Sequence, residues 1–159
     1  MTIQIAPCLW FDRESLEAAQ FYTSIFPNSK INAISHYGKN MHMPEGTVMT
    51  VSFTLNGHEF LALNGGPQFK FTEAISLMVN CDTQAEIDYY WERLTADGGQ
   101  EVQCGWLKDK YGLSWQIAPA ELPQWIGSKD QAKTDRVMAQ VMKMVKLDLA
   151  TMKRAAKGG

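Results

Sequence analysis

The chain reads Met49-Thr50-Val51-Ser52-Phe53-Thr54-Leu55 in its first half, and the pair Asn56-Gly57 follows directly. Apolar and hydroxyl side chains alternate strictly along this segment, which predicts a β-strand with one apolar and one polar face. Asn-Gly is the favoured pair for a two-residue type I′ turn, so residues 58–63 should return antiparallel. The sequence therefore predicts a β-hairpin over 49–63.

A strand, a helix and a second strand are predicted before this hairpin. The first strand covers 3–11 and is interrupted by Pro7, which suits an edge or a bulge. The helix covers about 13–26 and is predicted to be capped by Asp12. The second strand covers about 30–37. The first half thus has the order strand, helix and three strands.

The second half repeats this order. Ile75 to Asn80 is an apolar strand, and Thr83 with Glu86 forms a capping box at the start of a helix. Aligning the first helix with this one places Glu17 on Glu86, Phe21 on Tyr90, Tyr22 on Trp91 and Ile25 on Leu94. Short strands then fit 101–104, 105–108 and 113–118, with a tight turn over 109–112. We therefore expect two tandem modules.

A long helix over about 129–156 is predicted at the end of the chain. Its apolar stripe consists of Met138, Val141, Met142, Val145, Leu149 and Met152. We expect this stripe to pack on the domain's own sheet, and a contact between two subunits is the alternative. The prediction is a single domain over 1–159, with module one at about 3–64, module two at about 74–119 and a C-terminal helical segment at about 122–157.

The composition is that of an ordinary folded protein. The chain has 159 residues, of which 45% are apolar and 20% charged, with a formal net charge of -2. Basic residues gather only near the C-terminus, where a solvated helix face accounts for them, so we expect no nucleic-acid partner. No membrane-spanning run or secretory signal is visible, and three widely spaced cysteines suggest reduced thiols. We therefore expect a cytoplasmic protein without a membrane partner.

Three parts of the chain resemble a known family. They are Leu9-Trp10-Phe11-Asp12 with Ala18-Ala19-Gln20-Phe21-Tyr22, then Glu59-Phe60-Leu61-Ala62-Leu63-Asn64-Gly65-Gly66-Pro67, and Cys104-Gly105-Trp106-Leu107-Lys108-Asp109-Lys110-Tyr111-Gly112-Leu113-Ser114-Trp115-Gln116. Together with the tandem modules they resemble the vicinal-oxygen-chelate superfamily of glyoxalase, bleomycin-resistance and dioxygenase-like proteins. The likeness is greatest to its PhnB-like branch, often labelled 3-demethylubiquinone-9 3-methyltransferase, and spans nearly the whole chain, including the C-terminal helix. It implies an α+β fold in which two βαβββ-type modules form a curved mixed sheet with a central cavity, plus a C-terminal helix.

The resemblance also implies where a metal ion would bind. Metal-dependent members use His and Glu ligands on the first and last strand of each module. At those places this chain offers Ile5 or Ala6, Leu61 or Leu63, Ala74 or Ile75, and Gln116. Apolar side chains and one amide do not hold a catalytic divalent ion, so we expect no metal ion.

The methyltransferase label finds no support in the glycine pattern. An S-adenosylmethionine site of the Rossmann type needs a glycine-rich turn between a strand and a helix. Gly65-Gly66 is followed by Pro67 and a linker, while Gly98-Gly99 ends a helix. No cofactor is therefore expected. Cys104 beside Gly105 is either a reactive thiol or a small buried apolar side chain.

Strand alternation predicts the lining of a ligand site. If Val51 and Phe53 face the helices, Thr50 and Ser52 face the other side, and the hairpin turn places Leu61 opposite Ser52. Ser114 and Gln116 share that side on the last strand, and Trp106 either fills the core or stacks on a planar ligand. The candidate substrate-binding residues are Thr50, Ser52, Leu61, Cys104, Trp106, Ser114, Gln116 and His36. The alternative is that these hydroxyls face water or another subunit.

Three functions remain open at this point. The first is a metal-independent small-molecule-binding protein, or an enzyme of unknown reaction that uses the same site. The second is the methyltransferase that the family label implies, and the third is a metal-dependent glyoxalase or dioxygenase-like enzyme. Whether the chain catalyses any reaction is left open. The expected partners are an unknown small molecule and a second copy of the chain, because exposed strand edges and a methionine-rich helix favour a homodimer.

Overall fold

A computed structural model describes residues 5–158 of the chain. Two compact units divide it, unit 1 over Met1–Lys70 and unit 2 over Phe71–Gly159. Both are built from a four-stranded sheet with a helix on one face. The fold is α+β with two tandem βαβββ modules and a C-terminal helical segment, as predicted.

Unit 1 consists of four strands and one helix. They are β1 Cys8–Phe11, α1 Ser15–Ile25, β2 Lys30–His36, β3 Val48–Leu55 and β4 His58–Asn64. The strand order is β1-β4-β3-β2, with β1 parallel to β4 and the other pairs antiparallel. Leu55 pairs with His58 across the Asn56-Gly57 turn, so the predicted hairpin and its register are confirmed.

The start of unit 1 differs from the prediction in two respects. The first strand begins at Cys8, and the predicted strand residues Ile3 and Gln4 lie outside the described part of the chain. Asp12 does not cap α1, because the helix begins after Glu14 and receives no side-chain cap from it. The Ser15 amide instead donates to Asn64 Oδ1 at 2.8 Å, so a residue from the end of β4 satisfies the first turn.

The core of unit 1 lies between α1 and the apolar face of the sheet. Val51 and Phe53 of β3 are fully buried, as is Tyr22 of α1. The rings of Tyr22 and Phe53 stack with centroids 6.3 Å apart. Each such buried side chain contributes roughly 1.5–3 kcal/mol to the stability of the fold. Because Val51 and Phe53 lie on the same face of β3, burying them requires α1 to cover that face.

Unit 2 repeats the topology of unit 1. Its first elements are β5 Ser76–Cys81, α2 Gln84–Thr95, β6 Gln100–Glu101, β7 Trp106–Lys108 and β8 Ser114–Pro119. The strand order is β5-β8-β7-β6, with β5 parallel to β8. The helices α1 and α2 occupy the same place in the two modules, and the matched side chains Tyr22 and Trp91 are both buried. The internal repeat predicted from the two helices is therefore confirmed.

The start of α2 and the β7–β8 turn follow local signals in the sequence. Thr83 and Glu86 form the predicted capping box at the start of α2. The buried Asp109 carboxylate holds the turn, because its Oδ1 accepts from the Tyr111 and Leu113 amides at 2.9 and 3.1 Å. Its Oδ2 accepts from Trp115 Nε1 at 2.9 Å. This carboxylate fixes where β8 begins.

The C-terminal segment consists of three helices, so the prediction of one long helix is wrong. They are α3 Leu122–Ile126, α4 Gln131–Val141 and α5 Leu149–Lys157. The chain leaves the helix after Val141 because the Met144 and Val145 carbonyls accept from the Cys104 and Gly105 amides, each at 2.8 Å. Asp148 then caps α5, accepting from the Thr151 amide at 2.6 Å. Within the predicted stripe, the buried side chains are those of Val141, Leu149 and Met152.

Within residues 5–158, the helices are all too short or too polar to cross a membrane.

Candidate functional site

The predicted site residues of unit 1 lie mainly on the sheet face away from α1. Thr50 pairs with Leu63 and Ser52 with Leu61, which is the register that the hairpin turn predicted. Ser35 of β2 lies on the other side of Thr50, and their hydroxyl oxygens are 2.5 Å apart. We call this the unit 1 face: Ser35, Thr50, Ser52, Leu61 and Leu63, which combine hydroxyl groups with aliphatic surface and are all half-buried.

His36 does not join this group. A register shift separates it from Ser35, so it pairs with Val48 at the end of β2 rather than continuing the alternation. Its side chain is exposed. Of the predicted unit 1 residues, the structure thus brings Thr50, Ser52 and Leu61 together and leaves His36 at the margin.

Gln116 of unit 2 is the centre of a row that crosses three strands. It pairs with Met78 of β5 on one side and with Trp106 of β7 on the other. Its Nε2 donates to Ser76 Oγ at 2.8 Å, which fixes the orientation of the amide. The row therefore places the oriented Gln116 amide between the Met78 side chain, which is 56% exposed, and the half-buried Trp106 indole.

A second row runs beside the first, two residues along each strand. Ser114 pairs with Ser76 of β5 and with Lys108 of β7, so the three side chains share one face of the sheet. The Ser114 hydroxyl is buried and has no hydrogen-bond partner among residues 5–158. Lys108 Nζ forms an ion pair with Glu73, which lies in the segment before β5. The hydrogen bond to Lys108 and its charge lower the pKa of the Glu73 carboxyl.

We call these six residues the unit 2 face: Ser76, Met78, Trp106, Lys108, Ser114 and Gln116. The opposite surface of the same sheet is buried against α2 and includes Leu107, Trp115 and Ile117. The Asp109 carboxylate supports this arrangement because it sets the β7–β8 turn that brings the two rows into register. Three of the predicted residues, Trp106, Ser114 and Gln116, lie on this face.

Cys104 is placed elsewhere. Its φ of 63° is in the left-handed region, which ends the strand alternation before Trp106. Its amide is bound to the C-terminal segment, and its Sγ lies 3.8 Å from Met142 Sδ. Cys104 therefore contacts the C-terminal segment, and its backbone has a structural role.

Trp10 is a residue of the unit 1 face that the sequence argument missed. It pairs with Leu63, beside Thr50, and its Nε1 donates to the Gly66 carbonyl at 2.8 Å. Its ring packs on Gly65, where a Cβ would overlap the indole, and meets the exposed Phe69 ring edge-on at 4.9 Å. The alternation Leu9-Trp10-Phe11 carried the signal, because Leu9 and Phe11 are buried on the other side.

The residues at the places predicted for metal ligands do not all lie on strands. Leu61 and Leu63 of β4 pair with Cys8 and Trp10 of β1, whereas Ile5 and Ala6 precede β1. Gln116 of β8 pairs with Met78, whereas Ala74 and Ile75 precede β5. No cluster of three His, Cys, Asp or Glu side chains that could hold a metal ion occurs in residues 5–158. This donor set does not fit a catalytic divalent ion.

The glycine pairs do not fit an S-adenosylmethionine site either. After Gly65-Gly66 the chain runs through an irregular segment to β5, and Gly99 follows the short 3-10 turn that ends α2. A glycine-rich turn leading from a strand directly into a helix, which such a cofactor would need, is therefore missing at both places.

A family model described as 3-demethylubiquinone-9 3-methyltransferase matches residues 3–118. Among solved structures, a PhnB protein of Bacillus cereus with the same methyltransferase description is 41% identical, with a TM-score of 0.66. It covers 72% of this chain and 98% of its own. Among curated proteins, none matches the chain at a significant level.

Two more distant structures share the fold. A protein of Pseudomonas aeruginosa is 19% identical, with a TM-score of 0.61, and covers 74% of this chain and 98% of its own. The fosfomycin resistance protein FosX of Listeria monocytogenes, solved with Mn(II) and sulfate, is 16% identical, with a TM-score of 0.53. It covers 80% of this chain and 97% of its own.

These comparisons correct one expectation. The family model ends at residue 118, near the end of β8, so it does not include the C-terminal helical segment. The sequence resemblance was expected to span that segment as well. The shared part is therefore the two βαβββ modules.

Proposed function

The chain belongs to the 3-demethylubiquinone-9 3-methyltransferase family, and from this premise we propose that it binds a small, planar molecule with a hydrogen-bond donor group, without a metal ion. The fold is that of the vicinal-oxygen-chelate superfamily. Whether binding leads to a reaction is a separate question, because the family description is a label and not a measured activity.

The row Met78–Gln116–Trp106 carries this proposal. Gln116 Nε2 donates to Ser76 Oγ, whereas no donor among residues 5–158 bonds to Gln116 Oε1. In this proposal Oε1 is the atom that accepts a hydrogen bond from the ligand. The flanking thioether and indole provide apolar surface for the flat part of the ligand. A few fixed polar groups within an apolar lining are typical of small-molecule sites. On the unit 1 face, Thr50 and Ser52 likewise place hydroxyl groups beside the apolar side chain of Leu61.

The test uses a neutral planar probe, 4-hydroxybenzamide, titrated into 15N-labelled protein. We expect saturable shifts of the amide resonances of residues 114–117, because the hydroxyl or amide group would donate to Gln116. Gln116→Met, which keeps the size and removes the acceptor, should weaken binding about tenfold. Gln124→Met, at an exposed position on α3, is the matched control and should bind normally. Unchanged affinity in Gln116→Met would contradict the proposal.

A methyltransferase is the second candidate, favoured by the family description. It ranks lower because the described glycine-rich turns do not fit the cofactor. Titration calorimetry with S-adenosylmethionine discriminates between the two. Saturable micromolar binding would reverse the ranking, whereas no heat of binding at millimolar cofactor would support the first proposal.

A metal-dependent glyoxalase or dioxygenase is the third candidate, and it ranks last because the described donors do not form a ligand set. We expect purified protein to carry no stoichiometric divalent metal. Elemental analysis showing about one zinc, nickel or iron per chain after extensive dialysis would overturn that expectation.

A further inference from the structure

The second row of the unit 2 face has the composition of an anion site. Ser76, Ser114 and Lys108 lie on three neighbouring strands in direct register, so two hydroxyls and one ammonium group share one side of the sheet. Hydroxyl and ammonium groups together are a common donor set for carboxylate and phosphoryl oxygens.

The Ser114 hydroxyl is the first observation that points to a ligand. It is 1% exposed and has no hydrogen-bond partner within residues 5–158. Buried polar groups in native proteins are nearly always paired, so an unpaired hydroxyl calls for a specific explanation. An oxygen atom of a bound molecule would accept its hydrogen.

The Lys108–Glu73 ion pair is the second observation that points to a ligand. The Lys108 side chain is 28% exposed and lies on a strand, whereas the Glu73 side chain is 61% exposed and lies in the segment before β5. An exposed ion pair of this kind contributes little to stability. A ligand carboxylate or phosphonate can therefore displace Glu73 and take over the fixed cation at small cost.

We infer that Lys108, Ser114 and Ser76 form an oxyanion subsite, so that the molecule bound by the unit 2 face carries a carboxylate, phosphonate or phosphate group. This inference rests on the proposed function, because Gln116 would hold the other end of the same molecule. Ser114 and Gln116 are two residues apart on β8, a distance of about 7 Å along a strand. The ligand thus has an anionic group and a hydrogen-bond donor at opposite ends of a unit about as long as one aromatic ring.

The test compares three probes of matched shape by the same amide-shift titration. Two are anionic, 4-hydroxyphenylphosphonate and 4-hydroxybenzoate, and one is neutral, 4-hydroxybenzamide. Both anionic probes should bind more tightly than the neutral one, and the difference should shrink as salt is added. Whichever anion binds better identifies the kind of oxyanion, phosphoryl or carboxylate.

Two variants with opposite expected effects test the role of the cation. Lys108→Met should weaken binding of the anionic probes about tenfold or more and should weaken binding of the neutral probe much less. Glu73→Gln removes the competing carboxylate at an exposed position and should strengthen anion binding a few-fold. Ser114→Ala should weaken binding of the anionic probes more than binding of the neutral probe. Lys143→Met, at an exposed position after α4, is the matched control and should have no effect.

Inorganic phosphate separates the two proposals. If phosphate shifts the amides of residues 108 and 114 in the native protein but not in Lys108→Met, the subsite is supported even when no planar probe binds, and the proposed function then fails. If Gln116→Met weakens the neutral probe while Lys108→Met and Glu73→Gln leave the anionic probes unchanged, the oxyanion subsite is overturned and the proposed function stands. If neither phosphate nor any probe shifts these amides, both are wrong.

Discussion

Gln116 is held in place by Ser76, whose Oγ accepts from Gln116 Nε2 at 2.8 Å across β5 and β8. Ser76→Ala should free the amide to rotate and thereby weaken binding of the neutral probe about threefold to tenfold. The fold should lose only about 0.5–1.5 kcal/mol, as for one ordinary hydrogen bond. Thermal denaturation and probe titration measure the two effects. Ser24→Ala removes a comparable hydroxyl bond on α1 and should leave probe binding unchanged.

Gly65 is required by the close packing of the Trp10 ring. Gly65→Ala places a methyl group inside the indole, so Trp10 must move and the unit 1 face must change. We expect a loss of about 1–3 kcal/mol in the free energy of unfolding, measured by urea denaturation, with a change in the native tryptophan emission, to which Trp10 contributes. Gly38→Ala is the control, since the nearest atom to its Cβ is Met41 Sδ at 3.9 Å. Equal stability of the two variants would contradict the packing argument.

Cys81 should be the least reactive of the three free thiols. Burial, with smaller effects from the Glu86 and Asp82 charges, raises the pKa of Cys81 from its ordinary value of 9.0 to about 12. At pH 8 we expect iodoacetamide to leave Cys81 unmodified in the native protein and to label all three cysteines after unfolding, as read by peptide mass spectrometry. Rapid native labelling of Cys81 would show that its site opens.

The raised pKa of Cys81 also fixes the sign of a pH effect. The native thiol keeps its proton to higher pH than the unfolded thiol does, so the unfolded state is favoured as protons are lost. The Cys81 thiol therefore makes its full contribution to the free energy of unfolding below about pH 9, and this contribution decreases as pH rises towards 12. Replacing Cys81 by Ala should reduce this alkaline loss, which denaturant titration at pH 8 and pH 10.5 would measure.

The homodimer remains a prediction, and the structure narrows the surface that could form it. Val141 and Met152 of the predicted stripe are buried within this chain, whereas Met142 is 65% exposed. We expect light scattering to give about twice the chain mass of 17.9 kDa across a tenfold dilution. Met142→Asp should yield a folded monomer if this residue lies between subunits. A steady mass equal to that of one chain for the native protein would rule the dimer out.

The parts of the fold that the sequence predicted depend on neighbours along the chain. Hydroxyl and apolar residues alternate around Ser52, the Asn56-Gly57 turn sets one register, and Thr83 and Glu86 form a local capping box. Strand parity correctly placed Gln116 and Ser114 on one face for the same reason. Periods of two and of 3.6 residues are visible without any tertiary structure.

The parts that were missed depend on distant residues. The apolar stripe runs on past Val141, yet the helix ends there because the next carbonyls bind amides that lie far earlier in the chain, before β7. Nothing near Asp12 shows that Asn64 supplies the first-turn acceptor of α1. The Lys108–Glu73 pair likewise joins residues that no local pattern connects. Trp10 is different, because the alternation Leu9-Trp10-Phe11 in the sequence already indicates that Trp10 lies on the face opposite to Leu9 and Phe11.

The bonds from the Cys104 and Gly105 amides have a consequence for the order in which the chain assembles. Their acceptors, the Met144 and Val145 carbonyls, lie beyond the end of the family match at residue 118. Closing the long loop between them costs roughly 3 kcal/mol of chain entropy, which is offset when apolar side chains of the last segment, such as Leu147 and Met152, become buried. We therefore expect the modules to form first during synthesis, with these two amides bonded to water, and the last segment to dock onto the second module afterwards.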